Sequence, residues 1–179
     1  MNLTSSSDDN AIVERHVQDS LQLTPLAGSA GTWVDVGTGG GFPGAILAAA
    51  FAEDGPAVTL VESNTRKAAF LRAACVAMEV SVDVLAERAE RVVERLDPPS
   101  VVSARAVASL NDLLGLLAPW LGRGTRGVFP KGRDAEREIM EARDAWDFDV
   151  RRHPSTTAPD ATILEIVSLR PKMAGFAGS

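Results

Sequence analysis

The stretch Asp35-Val36-Gly37-Thr38-Gly39-Gly40-Gly41-Phe42-Pro43-Gly44 constrains this chain more than any other. Ahead of it, Thr32-Trp33-Val34 is apolar and partly β-branched, the mark of a buried strand. Behind it, Ala45 to Phe51 is built of strong helix formers without a breaker. The glycines therefore occupy a strand-to-helix turn. There the missing side chains let a ligand approach the backbone, and the first helical turn offers unpaired N–H donors. Pro43 suits the first helical position, where its missing N–H costs nothing.

Gly39 to Gly44 formally fits the dinucleotide pattern G-x-G-x-x-G, a weak signal alone. The fuller arrangement, an acid in the strand followed by Gly37, Gly39 and Gly41, resembles the first motif of the class I S-adenosylmethionine-dependent methyltransferases. That resemblance implies an α/β, Rossmann-like fold.

Bulk properties narrow the partners. The chain of 179 residues is long enough for one α/β domain, with a helical lead-in over 1–24 and a core over 32–170. No apolar run is long enough to span a bilayer, and the polar, acidic start is no signal peptide. One cysteine, Cys75, excludes an internal disulfide and suits a reducing cytoplasm. With His16 and His153 the only histidines, no metal-ligand cluster is expected. The net charge of −6 opposes nonspecific binding of polyanions, so an RNA target requires a local basic patch or a folded particle.

An amphipathic helix is expected from Ala11 to Leu23, capped near Asp8, Asp9 or Asn10, with Val13, Val17 and Leu21 on one face. His16 and Asp19, three apart, are placed to pair. Strands follow at 57–61, 81–86, 101–105 and 126–129. Between them run helices from about 64 to 78, with Phe70, Leu71, Ala74, Cys75 and Met78 facing the core, toward Leu96, and from 110 to 121. A further helix carries Ala135, Ile139, Ala142 and Trp146 on one face. Residues 148–152 and 162–169 read as an antiparallel pair at the sheet edge, which gives a mostly parallel seven-stranded sheet with helices on both faces. Asp35, Glu62, Ala89 with Glu90, Arg105 and Lys131 then fall at the carboxyl ends of successive strands, the edge where such sheets bind ligands. Arg66 and Lys67, in a first helical turn that disfavours positive charge, hint at an anionic partner.

Further signatures run almost the length of the chain: Asn2-Leu3-Thr4, Arg15-His16 with Asp19-Ser20-Leu21, Arg66-Lys67 with Phe70-Leu71-Arg72, Glu87-Arg88-Ala89-Glu90, Ser103-Ala104-Arg105-Ala106 and Lys131-Gly132-Arg133. Together with the glycine turn they resemble the RsmG (GidB) family, which methylates N7 of a guanine, guanine 527, in 16S ribosomal RNA of the small subunit. The resemblance implies S-adenosyl-L-methionine as cofactor and S-adenosyl-L-homocysteine as product. It implies cofactor contacts from Asp35, Gly37, Gly39, Phe42, Glu62, Ala89, Glu90 and Arg105, with Arg105 also the catalytic-site residue between cofactor and guanine. It further implies a monomer without metal, and an RNA-facing patch of Arg15, Arg66, Lys67, Arg72, Lys131 and Arg133. Guanine N7 carries a lone pair and no proton, so its methylation needs placement and no general base. A neutral His16 that fixes Asp19 fits this chemistry.

The chain departs from the pattern at three places. It begins at Asn2-Leu3-Thr4, where relatives carry a further helical segment. Ser100 replaces a usual aspartate, and 153–160 is loosely similar. Three readings stay open beside this one: a nicotinamide oxidoreductase, for which 179 residues leave little room for a substrate domain; a methyltransferase of another substrate; and an inactive cofactor-binding scaffold.

Overall fold

The computed structural model describes residues 5–28 and 31–172, and the Asn2-Leu3-Thr4 motif lies outside the described residues. Helix α1 (Ser5–Leu21) and a short 3-10 turn (Thr24–Leu26) lead into β1 (Thr32–Val36). Then follow α2 (Gly44–Ala50), β2 (Ala57–Val61), α3 (Thr65–Ala77), β3 (Asp83–Leu85), α4 (Ala89–Arg95), β4 (Val101–Ala104), α5 (Leu110–Leu121), β5 (Arg126–Lys131), α6 (Ala135–Ala142), β6 (Trp146–Pro154) and β7 (Thr162–Pro171).

The seven strands lie in the order β3-β2-β1-β4-β5-β7-β6. The first five are parallel, and β7 runs antiparallel to both β5 and β6. The order reverses between β1 and β4, so their carboxyl ends frame the crevice of the sheet.

Alternation along the strands splits the core in two. Trp33, Leu60, Val101 and Val128 point to the side covered by α2 and α3, where they meet Leu47, Leu71 and Cys75. Val34, Val36, Val61, Val102 and Phe129 point to the other side and meet α4, α5 and α6. A parallel sheet covered on both faces reads as continuous apolar strands, as here. Helix α5 buries Leu110, Leu113, Leu114, Leu117, Trp120 and Leu121, one face at helical spacing. Ser109 caps it by accepting from the backbone N–H of Asp112 at 3.2 Å.

Four local expectations are corrected. Helix α1 starts by Ser5, so Asp8, Asp9 and Asn10 lie within it and do not cap it. Its expected apolar face is only partly covered: Ser20, expected beside that face, is buried and Val17 is half-buried, but Val13 is 52% exposed and Leu21 also lies open, while His16 and Asp19 of the flank are half-buried. In α3, Leu71 and Cys75 are buried, but Phe70 is 62% exposed and Met78 is exposed too. Trp146 does not extend α6, because the helix ends at Ala142 and the tryptophan opens β6.

Candidate active site

The glycine turn is built by backbone geometry that side chains disfavour. Gly37, Gly39 and Gly41 have φ of +68°, +57° and +100°. The N–H of Gly37 donates to the carbonyl of Val61 on the neighbouring strand at 2.8 Å. A Cβ on Gly37 would lie 2.6 Å from Val107 Cγ2, so the backbone and the β4–α5 loop can close on one another only at a glycine.

Asp35 holds this turn from behind. Its Oδ2 accepts from the N–H of Gly44 at the start of α2 (3.0 Å), and its Oδ1 accepts from Ser103 Oγ (2.6 Å). Ser103 Oγ in turn accepts from Trp33 Nε1 (2.8 Å). Burial pushes the carboxyl of Asp35 up to about 6, against opposing effects from the Ser103 hydroxyl, the Gly44 N–H and the Arg105 charge. Asp35 is fully buried and lines none of the clefts, so the structure places it beneath the turn as a buttress and not at a ligand-facing surface.

Glu62 stands at the end of β2 with its carboxylate facing the crevice. Its Oε2 accepts from Gly39 N–H (3.0 Å) and its Oε1 from Asn64 N–H (2.7 Å), which fixes the carboxylate and leaves a lone pair on each oxygen. Gly37, Glu62 and Val107 line two adjoining clefts. The larger, about 350 Å³, also has Gly39, Phe42 and Arg105 on its wall. The smaller, about 130 Å³, runs past Ala89 and Glu90 at the start of α4.

Arg105 follows β4 and is aimed by the turn after it, where Ala106 adopts φ of +54°, a left-handed conformation that costs a non-glycine residue about 1–2 kcal/mol. The guanidinium approaches His16 Nδ1 at 3.1 Å and Asp19 Oδ2 at 3.8 Å, and lies 5.6 Å from the centre of the Phe42 ring. A guanidinium only donates, so His16 Nδ1 accepts and the imidazole proton sits on Nε2. The expected His16–Asp19 pair is thus replaced by a shared partner: both side chains meet Arg105.

Arg105 and Ala106 also line a third cleft of about 380 Å³, on the far side from the glycine turn. Asp19, Lys131, Glu138 and Thr157 contribute to its wall. Lys131 Nζ donates to Glu138 Oε2 (2.7 Å) and to the carbonyl of Ala108 (2.9 Å). Thr157 Oγ1 donates to Asp19 Oδ1, and Thr156 N–H donates to Gln22 Oε1 at 3.0 Å, so the turn between β6 and β7 rests on α1.

A family profile described as rRNA small subunit methyltransferase G matches residues 1–166. The chain belongs to this family. A ribosomal RNA small subunit methyltransferase G of Brucella anthropi is 48% identical over 175 residues, covering 97% of this chain and 82% of that protein. Its counterpart in Brucella ovis is 47% identical over 173 residues, covering 96% and 81%. Among solved structures, the ribosomal protein L11 methylase of Lactobacillus delbrueckii subsp. bulgaricus superposes with a TM-score of 0.65 at 18% identity, over 86% of this chain and 78% of that one. The magnesium protoporphyrin IX methyltransferase of Synechocystis PCC 6803, solved with bound SAM, gives 0.60 at 13% identity, over 94% and 86%. The fold is thus that of the class I S-adenosylmethionine-dependent methyltransferases.

The crevice fits the family's cofactor. The bare backbone at Gly39 and Gly40 leaves open space where a Cβ would project, and Glu62 offers acceptor capacity to both adjoining clefts. The sequence-derived residues divide as follows. Gly37, Gly39, Phe42, Glu62, Ala89, Glu90 and Arg105 come together around the crevice, and Asp35 stands behind it. Of the basic residues, Arg15 edges the third cleft, Lys67 edges the glycine-turn cleft, and Arg66 and Arg133 are exposed. Lys131 is turned inward, its side chain only 10% exposed and ion-paired with Glu138, so it is not part of an outward patch. Arg72 donates to the Val84 carbonyl at 2.6 Å and braces β3 instead. Asn64 accepts from the backbone N–H groups of Arg66 and Lys67 and so caps α3, while the two side-chain charges stay exposed. Sequence reasoning missed Thr157 and Glu138; the first lies in the loosely similar stretch 153–160, and neither carries a local signal. No group of three metal-ligating side chains occurs among the described residues.

Proposed function

We propose that this protein transfers a methyl group from S-adenosyl-L-methionine to N7 of a guanine in 16S ribosomal RNA, within the small ribosomal subunit. Family membership supports methylation of small-subunit RNA. The finer statement rests on one observation: Arg105 stands where the cofactor crevice meets the third cleft. A guanidinium donates hydrogen bonds and takes no proton, the imidazole nitrogen beside it is already engaged, and the neighbouring carboxylate of Asp19 lines the third cleft only, away from the glycine turn. A junction of this kind suits an acceptor atom that has nothing to shed. Guanine N7 has a lone pair in the plane of the base and no hydrogen.

When bound, the cofactor supplies an activated methyl group on a sulfonium. The protein's residues do the placing. The Gly37–Gly39 backbone, Phe42 and Glu62 hold the donor, with Ala89 and Glu90 at its adenine end. Arg105, steadied by His16 and Asp19, holds the base so that its N7 faces the methyl carbon. Such orientation is worth up to roughly 7–11 kcal/mol in well-aligned intramolecular reactions. No metal is required, and a monomer suffices for this site.

Arg15, Arg66, Lys67 and Arg133 supply the contacts to RNA phosphates. Against a net charge of −6 they act locally, so the assembled subunit is the substrate and short unstructured RNA is not. No helix among the described residues is long and apolar enough to cross a membrane. A ribosomal substrate supports a cytoplasmic location. The deciding experiment is transfer of labelled methyl groups onto unmodified small subunits, followed by mass analysis of the nucleosides. Label in 7-methylguanosine is the expected result. Label on another atom, or none, overturns the reading.

A further inference from the structure

The third cleft has a donor and an acceptor side by side on its wall at the end nearest the cofactor. Arg105 NH1 and Asp19 Oδ2 lie 3.8 Å apart, too far for a direct hydrogen bond, and both line the cleft. Asp19 Oδ1 takes one hydrogen bond, from Thr157 Oγ1, so both of its oxygens keep acceptor capacity. Guanine presents the complementary series along one edge: the O6 acceptor, then the N1–H and N2–H donors, with O6 adjacent to N7. Resting on the N7 reading above, we infer that Asp19 reads the N1–H and N2–H donors of the acceptor guanine while Arg105 donates to O6.

Glu138, the other carboxylate on this wall, is less suited to the task. Its Oε2 accepts from both Leu110 N–H (2.6 Å) and Lys131 Nζ (2.7 Å), contacts that pin the loop bearing Arg105 against α6. Asp19 accepts one hydrogen bond, from Thr157, and faces the Arg105 charge without a direct hydrogen bond, beside the residue that both clefts share.

The reaction itself favours a carboxylate at this position. As N7 bonds to the methyl carbon and the sulfur–carbon bond breaks toward sulfur, the base becomes a cation and loses no proton. Its N1–H and N2–H groups then become stronger donors, so a carboxylate facing them binds the transition state more tightly than the ground state. The same carboxylate balances the Arg105 charge beside a base that is turning positive. Adenine offers neither this pair of donors nor O6, and is rejected by unpaired groups on both sides.

The test compares guanine with inosine, which keeps N7, O6 and N1–H but lacks the 2-amino group. Small subunits reconstituted with RNA carrying either base at the acceptor position are assayed for kcat/KM. The wild-type protein favours guanine by about tenfold or more, the scale of one charge-assisted hydrogen bond. In Asp19→Ala both rates fall and the guanine-to-inosine ratio collapses toward one. Asp19→Asn, which keeps the acceptor for Thr157, gives the same collapse in a variant with less risk to folding. Glu138→Gln lowers the rate and leaves the ratio as in the wild type. A wild-type protein that does not discriminate, or an Asp19 variant whose ratio is unchanged however slow it becomes, overturns the assignment, since a residue that only steadied Arg105 slows both substrates alike. Nucleoside analysis of the wild-type product separates this outcome from failure of the N7 reading, which would appear as methyl on another atom.

Discussion

The guanidinium of Arg105 lies 3.1 Å from Nδ1 of His16, across 89 positions of sequence. This contact joins the loop after β4 to the amino-terminal helix at the point where the two ligand clefts meet. Arg105→Lys removes the planar fork that reaches His16 and Asp19 together. Turnover is expected to fall about a hundredfold, the cost of misplacing the reacting groups by roughly an ångström. Cofactor affinity, measured by calorimetry, changes far less.

Glu62 combines support of the turn with capacity for a ligand, so its substitution reports on the cofactor. Glu62→Ala is expected to weaken S-adenosylmethionine binding about ten- to a hundredfold, the scale of hydrogen bonds to a charged acceptor. An unchanged affinity in calorimetry removes Glu62 from the site.

Asp35 makes stability depend on pH in an unusual direction. Its carboxyl is raised from 3.8 to about 6 in the fold, so the folded chain holds this proton more tightly than the unfolded chain. Its contribution is complete below about pH 4 and is lost as pH climbs through 6, a change of about 3 kcal/mol for a shift of this size. In Asp35→Asn that titration is absent. The stability difference between wild type and variant, followed by denaturant unfolding, should therefore move against the wild type between pH 4 and 7 and then level off.

Basic residues separate by role. Arg66→Ala is expected to weaken subunit binding and to flatten its dependence on salt by about one counterion. Lys131→Met leaves that slope unchanged and instead costs about 3–5 kcal/mol of stability, because it strands the Glu138 carboxylate in a largely buried pair. A reduced salt slope for Lys131→Met would return that residue to the RNA surface.

Core packing supplies an internal control. Leu117 is fully buried on the α5 face. Leu117→Ala should cost about 2–5 kcal/mol in denaturant unfolding while cofactor affinity in the surviving folded protein stays near wild type.

The parallel strands and the crevice were legible because their signals are local: β-branched runs, breakers between them, and glycines that only a tight turn requires. The orientation of α1 was not. Its period places Val13, Val17 and Leu21 on one stripe, yet Val13 and Leu21 lie open while His16 and Asp19 from the flank turn inward, because what α1 covers there is the polar site around Arg105. Apolar periodicity assumes that the buried neighbour is oil-like, and here it is an arginine. Lys131 misled for a similar reason, since nothing near it in sequence announces that Glu138 is turned toward it and closes the pair. Thr157 was invisible because its partner stands 138 residues away.

The two sides of the site draw on the chain differently. The clefts beside the glycine turn are lined by residues between 36 and 116, whereas the cleft beyond Arg105 is walled by distant segments that Asp19 with Thr157 and Gln22 with Thr156 hold together. Loosening either of those two contacts would open the second space and leave the first intact.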